Sequence, residues 1–190
     1  MIPEKQIRAY YTSSFIRVYQ AYSHNIADNT LKNGKFTSPS FNFSRMTWIK
    51  PSFLWMMYRS GWAEKDAGQN RILAIDISHR GFQEIITQGA LNQSANNDYF
   101  PEKKCYKKPA DSDVIIQWDP ERDILLNKLY YRTIQIGLRG DALNNYTEKW
   151  IVDINDITQK VKNIHSLVLS GELKKASKEL PKEAIYNIWL

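Results

Sequence analysis

The segment Arg-Ile-Leu-Ala-Ile-Asp-Ile-Ser, residues 71–78, constrains the fold more than any other. It is rich in β-branched residues and too short for a typical buried helix, so it predicts an extended strand over 70–78. Its apolar positions are too continuous for a sheet with one wet face. The strand should therefore be central and covered on both sides. Asp76 interrupts the run, and a carboxylate there is costly unless paired. Arg45 or Arg71 is the expected partner.

The remaining elements follow from periodicity and punctuation. Alternation over Ser14–Tyr22 predicts a strand with Ile16, Val18, Gln20 and Tyr22 toward the core. Ser23 can cap a helix that Gly34 ends, with Ile26, Ala27, Thr30 and Leu31 on one face. A strand over 45–50 is broken by Pro51, which can open a helix running through Phe53 to Ser60 and stopped by Gly61. A short helix over 79–91 turns Phe82, Ile85 and Ile86 inward. Residues 92–112 are polar, contain two prolines and read as a loop. Strands are expected over 113–119, 132–138 and 150–158, the last preceded by a short helix over 140–147. Two helices close the chain, over 159–172 and 171–181. Strict strand–helix alternation fails in the second half. That predicts an α+β fold: a single domain over 1–190, with a core over 7–158, C-terminal helices over 159–181, and a mixed, mostly antiparallel split sheet of about six strands.

Lys and Arg number 26 against 20 Asp and Glu, a net charge of +6, which favours an anionic partner. One cysteine, Cys105, excludes an intrachain disulfide, and with only three histidines no structural zinc or other metal is expected. The start of the chain lacks the apolar stretch of a signal peptide. No apolar run approaches the ~20 residues of a membrane span. A soluble cytoplasmic protein with no membrane partner is expected. No dinucleotide-binding glycine fingerprint, phosphate-binding loop, nucleophile elbow or zinc-deaminase pattern is present, and no lysine stands in the Lys-x-Asp-Gly context of nucleotidyl-transferring ligases: Lys50 is followed by Pro-Ser.

What remains is a set of cations interleaved with aromatic rings. Residues 45–62 hold three tryptophans, two arginines and a lysine. Trp55, Arg59 and Trp62 share a helical stripe, so Arg59 could stack between two indoles. Trp48 or Trp55 could hold a base while Arg45, Arg59 and Arg17 take phosphates. Ser52 stands at a helix start, where free N–H groups favour an anion. Arg8, Tyr19 and Gln20 flank or lie on the first long strand, and His79 and Arg80 stand at the exit of the central one. Gln20, Gln117 and Gln135 are amides on strands that ought to be buried. Asp119-Pro120 with Arg122 reads as a turn closed by an ion pair. Lys103, Lys104, Lys107 and Lys108 give the polar loop a positive patch suited to a nucleic-acid backbone.

Through Ile-Arg-Val-Tyr-Gln-Ala-Tyr (16–22), Arg45–Ala63, Ile-Leu-Ala-Ile-Asp-Ile (72–77), Gln-Trp-Asp-Pro-Glu-Arg-Asp (117–123), Arg-Thr-Ile-Gln-Ile-Gly-Leu (132–138) and Trp150–Thr158, the chain resembles the domain of unknown function family 4291. That resemblance implies one domain and no particular activity. The order of strands also resembles an ADP-ribosyltransferase domain. There Gln20 stands where Arg or His is expected, and Gln135 where a catalytic Glu is expected. A carboxamide is no general base, and it stabilises an oxocarbenium-like transition state less well than a carboxylate. The resemblance thus implies a nucleotide-using transferase that binds NAD, ATP or a related nucleotide, with Lys50, Gln135, Asp76 or Arg17 as candidate catalytic groups, or the same fold with catalysis absent. Two alternatives stand beside it. One is an RNA- or single-stranded-DNA-binding or end-joining protein with Lys50 as nucleophile, and the other is a protein-interaction module using the tail helices.

Overall fold

The computed structural model describes residues 4–91 and 109–187. Two short strands, β1 (Lys5–Gln6) and β2 (Arg8–Ala9), precede the long strand β3 (Phe15–Tyr22). Helix α1 (His24–Asn33) starts where the Ser23 hydroxyl accepts the Ile26 N–H, and stops at Gly34 in the left-handed region. Strand β4 (Thr47–Ile49) leads into α2 (Phe53–Ser60), capped by Ser52 and ended by Gly61, whose N–H returns to the Met57 carbonyl. Proline 51 lies just outside this helix, not in its first turn. The central strand β5 (Arg71–Ser78) runs directly into α3 (His79–Gln88), with Ser78 as cap, followed by β6 (Ala90–Leu91). Then come β7 (Val114–Arg122) and β8 (Lys128–Leu138). Helix α4 (Gly140–Asn145) continues as a π-helical turn over Tyr146–Trp150 into β9 (Ile151–Asp156). Helices α5 (Thr158–Leu169) and α6 (Leu173–Glu179) and a last strand, β10 (Ala184–Ile185), finish the described chain.

The α+β class and the mostly antiparallel pairing are as expected, but the strands form several sheets. Five strands make one sheet, in the order β1-β8-β7-β6, with β4 on the same edge of β8 as β1. A second sheet has the order β3-β5-β9, and β2 pairs with β10. Only the β1–β8 and β6–β7 pairs are parallel. Among the described residues the two larger sheets share one backbone bridge, where Tyr19 N–H donates to Lys50 O at 2.8 Å and Lys50 N–H returns to Tyr19 O at 3.3 Å. Sequence gave no sign of β1, β2 and β10. Each is two residues long, which is too short for a periodicity signal.

Strand β5 is covered on both sides, as its composition requires. Leu73, Ile75 and Ile77 join a core with Ile16, Val18, Phe82 and Tyr146. Ile72 and Ala74 join a second with Tyr19, Phe53, Met57 and the tail residues Val161, Ile164 and Ala176. Each Ile or Leu so buried stabilises the fold by about 1.5–3 kcal/mol. The tail helices therefore close a core and are not a free appendage. β3 is buried on both faces too: Tyr19 packs edge-on against Phe53, 5.4 Å between centroids.

Asp76 is paired, but with neither expected arginine. The antiparallel register sets Arg17 opposite Asp76, and the guanidinium contacts both carboxylate oxygens at 2.6 and 2.7 Å. Arg71 lies at the far end of β5 and bridges Asp28 and Asp156. The expected Asp119-Pro120 turn is also absent. β7 runs straight through it with a bulge between Pro120 and Arg122, and the reversal falls on 123–127. Asp123 organises that reversal by accepting the N–H groups of Leu125 and Asn127.

Candidate functional site

Beside the bridge that joins the two sheets, a cleft of about 500 Å3 opens. Its walls come from the end of β3, from residues 41–50, from α2, from the turn at 66–69, and from Gln135 of β8. It gathers seven residues singled out from sequence: Gln20, Arg45, Trp48, Lys50, Trp55, Arg59 and Gln135.

The aromatic part rests on backbone register. β4 pairs antiparallel with β8, so Trp48 sits opposite Gly137. A Cβ at Gly137 would lie 2.6 Å from the Met46 sulfur and 3.0 Å from the Trp48 ring. Only glycine lets both side chains lie this close to β8. Trp55 projects from the first turn of α2 and is buried. Its ring carries the Lys50 ammonium 4.2 Å from its centroid.

Arg45 and Arg59 are exposed. Arg59 donates to Gln69 at 3.1 Å. Neither guanidinium has a carboxylate within ion-pair distance among the described residues. Asp66, the one carboxylate on the lining, is engaged: it accepts the Gly68 N–H at 2.8 Å and the Gln69 amide at 2.6 Å. The expected stacking of Arg59 between indoles does not occur. The helix ends at Ser60, and Trp62 and Ala63 adopt left-handed conformations, φ 56° and 69°. That turn rotates Trp62 away to stack on His165, ring centroids 5.1 Å apart.

The two glutamines differ. The Gln20 amide is locked: its Nε2 lies within hydrogen-bonding distance of Tyr22 Oη, Thr47 Oγ1 and Trp48 O, and its Oε1 accepts from Tyr146 Oη at 2.9 Å. Burial raises the pKa of both phenols, so they stay neutral hydrogen-bonding groups. Gln135 is half-buried beside the cleft and makes no side-chain hydrogen bond among the described residues. Its amide is available to a ligand.

Lys50 directly follows β4 and is almost fully buried. Its Nζ donates to Thr133 O at 3.3 Å and lies 3.5 Å from Asp119 Oδ2. Burial lowers its pKa to about 8, against the opposing pull of Asp119, Glu121 and Glu183. Behind it lies a cluster that sequence reading missed. Glu121 accepts the Ser52 hydroxyl at 2.7 Å, and Glu183 accepts the Phe53 N–H at 2.7 Å. Burial, with the nearby Glu121 carboxylate, raises Glu183 to about 8. Glu121 could have been flagged, because Gln117, Asp119 and Glu121 alternate along one strand. Glu183 follows Pro181 in an aperiodic tail, where nothing in the sequence points to it.

Several nominated residues serve the scaffold instead. Ser52 is fully buried and its hydroxyl donates to Glu121, while the Phe53 N–H donates to Glu183, so protein carboxylates occupy this helix start. Tyr19 is buried in the core. Arg17 and Asp76 neutralise each other away from the cleft. Arg8 packs on the Tyr131 ring and donates to the Glu183 carbonyl. His79 holds the tail: Nε2 donates to Thr12 O, so Nδ1 accepts from the Tyr186 hydroxyl at 2.8 Å. Arg80 is exposed and pairs with Glu84. Lys103, Lys104, Lys107 and Lys108 lie outside the described residues. Among the described residues no cluster of His, Cys, Asp and Glu is arranged to hold a metal, and no helix is long and apolar enough to cross a membrane.

Fold and site together define an α+β protein with a cation-rimmed, tryptophan-walled cleft at the meeting of two sheets. Residues 6–186 match the family described as domain of unknown function (DUF4291), and the chain belongs to that family. No curated protein matches it.

Proposed function

We propose that the cleft binds a phosphorylated nucleotide such as NAD or ATP, and that the protein is a nucleotide-using transferase of ADP-ribosyltransferase-like fold. The observation that carries this reading is Arg45 and Arg59 at the rim of a cavity walled by Trp48 and Trp55. Two guanidiniums without carboxylate partners suit a diphosphate. Indole faces suit a base. Gln135 offers a donor and an acceptor to a ribose or a base edge. Supporting the fold resemblance, the six longest strands lie as β7-β8-β4 and β3-β5-β9, two halves that share the Tyr19–Lys50 bridge.

Calorimetric titration with NAD and ATP tests the binding. Saturable binding is expected. Arg45→Ala and Arg59→Ala should each weaken it by roughly 10- to 100-fold, and the double variant by more, since a hydrogen bond to a charged group contributes about 1.5–3 kcal/mol. Absence of binding at millimolar ligand overturns the reading.

A further inference from the structure

A transferase needs a group that attacks or stabilises the reacting atom, and the structure narrows the choice. Gln20 is held by four partners. Arg17 and Asp76 are paired with each other and do not line the cleft. Asp66 is engaged at the rim. Among the described lining residues no free carboxylate is left to steady a ribosyl cation, which disfavours cleavage at the glycosidic carbon. Two rim guanidiniums instead suit charge developing on phosphoryl oxygens.

Among the described residues Lys50 is the one lysine on the wall. Three contacts orient its Nζ: the Trp55 ring at 4.2 Å, Thr133 O at 3.3 Å and Asp119 Oδ2 at 3.5 Å. Apart from this ion-pair contact that Asp119 oxygen has no hydrogen-bond partner among the described residues, so it can take a proton. The Asp119 side chain is 29% exposed, which gives the proton a route to solvent. We propose that Lys50 is a covalent catalytic residue whose Nζ takes up the nucleotidyl group of the nucleotide bound in this cleft.

The inference rests on the nucleotide-binding reading above and adds its chemistry. The ammonium first releases one proton to solvent. The amine lone pair then attacks the α-phosphorus, forming an N–P bond. The P–O bond to the leaving group breaks, and its electron pair departs with pyrophosphate from ATP or nicotinamide mononucleotide from NAD. The second amine proton passes to Asp119. The product is a lysyl phosphoramidate, from which the nucleotidyl group can move to an acceptor.

The test is incubation of the full chain and magnesium with ATP labelled at the α-phosphate, or with NAD labelled at its adenylate phosphate. Labelled protein is then digested and the modified peptide identified by mass spectrometry. Label stable to base, labile to acid and located on Lys50 is expected, at a rate that climbs with pH through about 8 as the amine is freed. Lys50→Met and Lys50→Arg should lose the label while still binding nucleotide by calorimetry. Binding without label, release of nicotinamide instead of its mononucleotide, or label elsewhere overturns the inference and leaves the binding reading intact. Absence of binding overturns both.

Discussion

Arg17 grips Asp76 across the β3–β5 register with two hydrogen bonds, Nε to Oδ1 at 2.6 Å and Nη2 to Oδ2 at 2.7 Å. Asp76 is 3% exposed and Arg17 partly so. The pair contributes little as a pair, because desolvation offsets much of its attraction, but breaking it strands a buried carboxylate. Arg17→Ala should lower unfolding free energy by about 3–5 kcal/mol, and Arg17→Ala/Asp76→Ala by less. Urea denaturation of the three proteins measures this. Nucleotide affinity of the folded variant should not change, since neither residue lines the cleft. A tenfold loss of affinity with unchanged stability would return Arg17 to the site.

The same pair shows what sequence could and could not reveal. That Asp76 needs a partner follows from its place in an apolar strand. Which arginine supplies it depends on strand register, a long-range fact that one strand's pattern does not carry. Likewise, Ser52 as cap and Gly61 as stop were legible in local chemistry, whereas the left-handed turn at Trp62 and Ala63, which removes Trp62 from the expected stripe, was not. The cleft was half legible. Arg45, Trp48, Lys50, Trp55 and Arg59 lie within fifteen consecutive residues. Glu183 comes to lie behind Lys50 through long-range contacts that bring the tail back, among them the two-residue pairing of β10 with β2 and the His79 contact to Tyr186.

Gly137→Ala should damage the cleft without touching any polar group. The added methyl would meet the Met46 sulfur and the Trp48 ring. One of them must move, at about 1–3 kcal/mol for overpacking. Because Trp48 is a wall of the cleft, affinity for NAD or ATP should fall together with Tm. An unchanged affinity in a Gly137→Ala protein with lowered Tm would show that the Trp48 indole plays no part in binding.

Gln20→Glu tests the locked amide. The neutral amide donates to Trp48 O at 3.1 Å and accepts from the Tyr146 hydroxyl. A carboxylate cannot donate to a carbonyl, so at neutral pH the variant buries a charge facing one. A loss of about 2–4 kcal/mol is expected. Burial raises the new carboxyl's pKa in the folded state, so the folded chain binds the extra proton first. The loss should therefore shrink as pH falls, and Tm measured at pH 5 and pH 7 should diverge from wild type only at the higher value. An equal loss at both would place the defect in packing.

Glu183 and Lys50 give the wild-type chain a distinctive pH dependence. Glu183 titrates near 8 in the folded chain against 4.5 when free, raised by burial and by Glu121 and opposed by the Phe53 N–H, Arg8 and Lys50. Between those values the folded state holds a proton that the unfolded state has released, so stability falls as pH rises. Lys50 is the reverse: about 8 when folded against 10.5 when free, lowered by burial and opposed by Asp119, Glu121 and Glu183. Between 8 and 10.5 the unfolded chain holds the extra proton, so stability recovers as pH rises. The two contributions meet in a minimum near pH 8. A swing of a few kcal/mol corresponds to roughly 5–10 °C in Tm at this chain length. Glu183→Gln keeps an acceptor for the Phe53 N–H and removes the titration, so it should flatten the falling limb and leave the rising one. Lys50→Met should do the opposite. A wild-type Tm that is level from pH 5 to 8, and identical in shape to that of Glu183→Gln, would mean that the Glu183 carboxyl is already ionised behind the cleft.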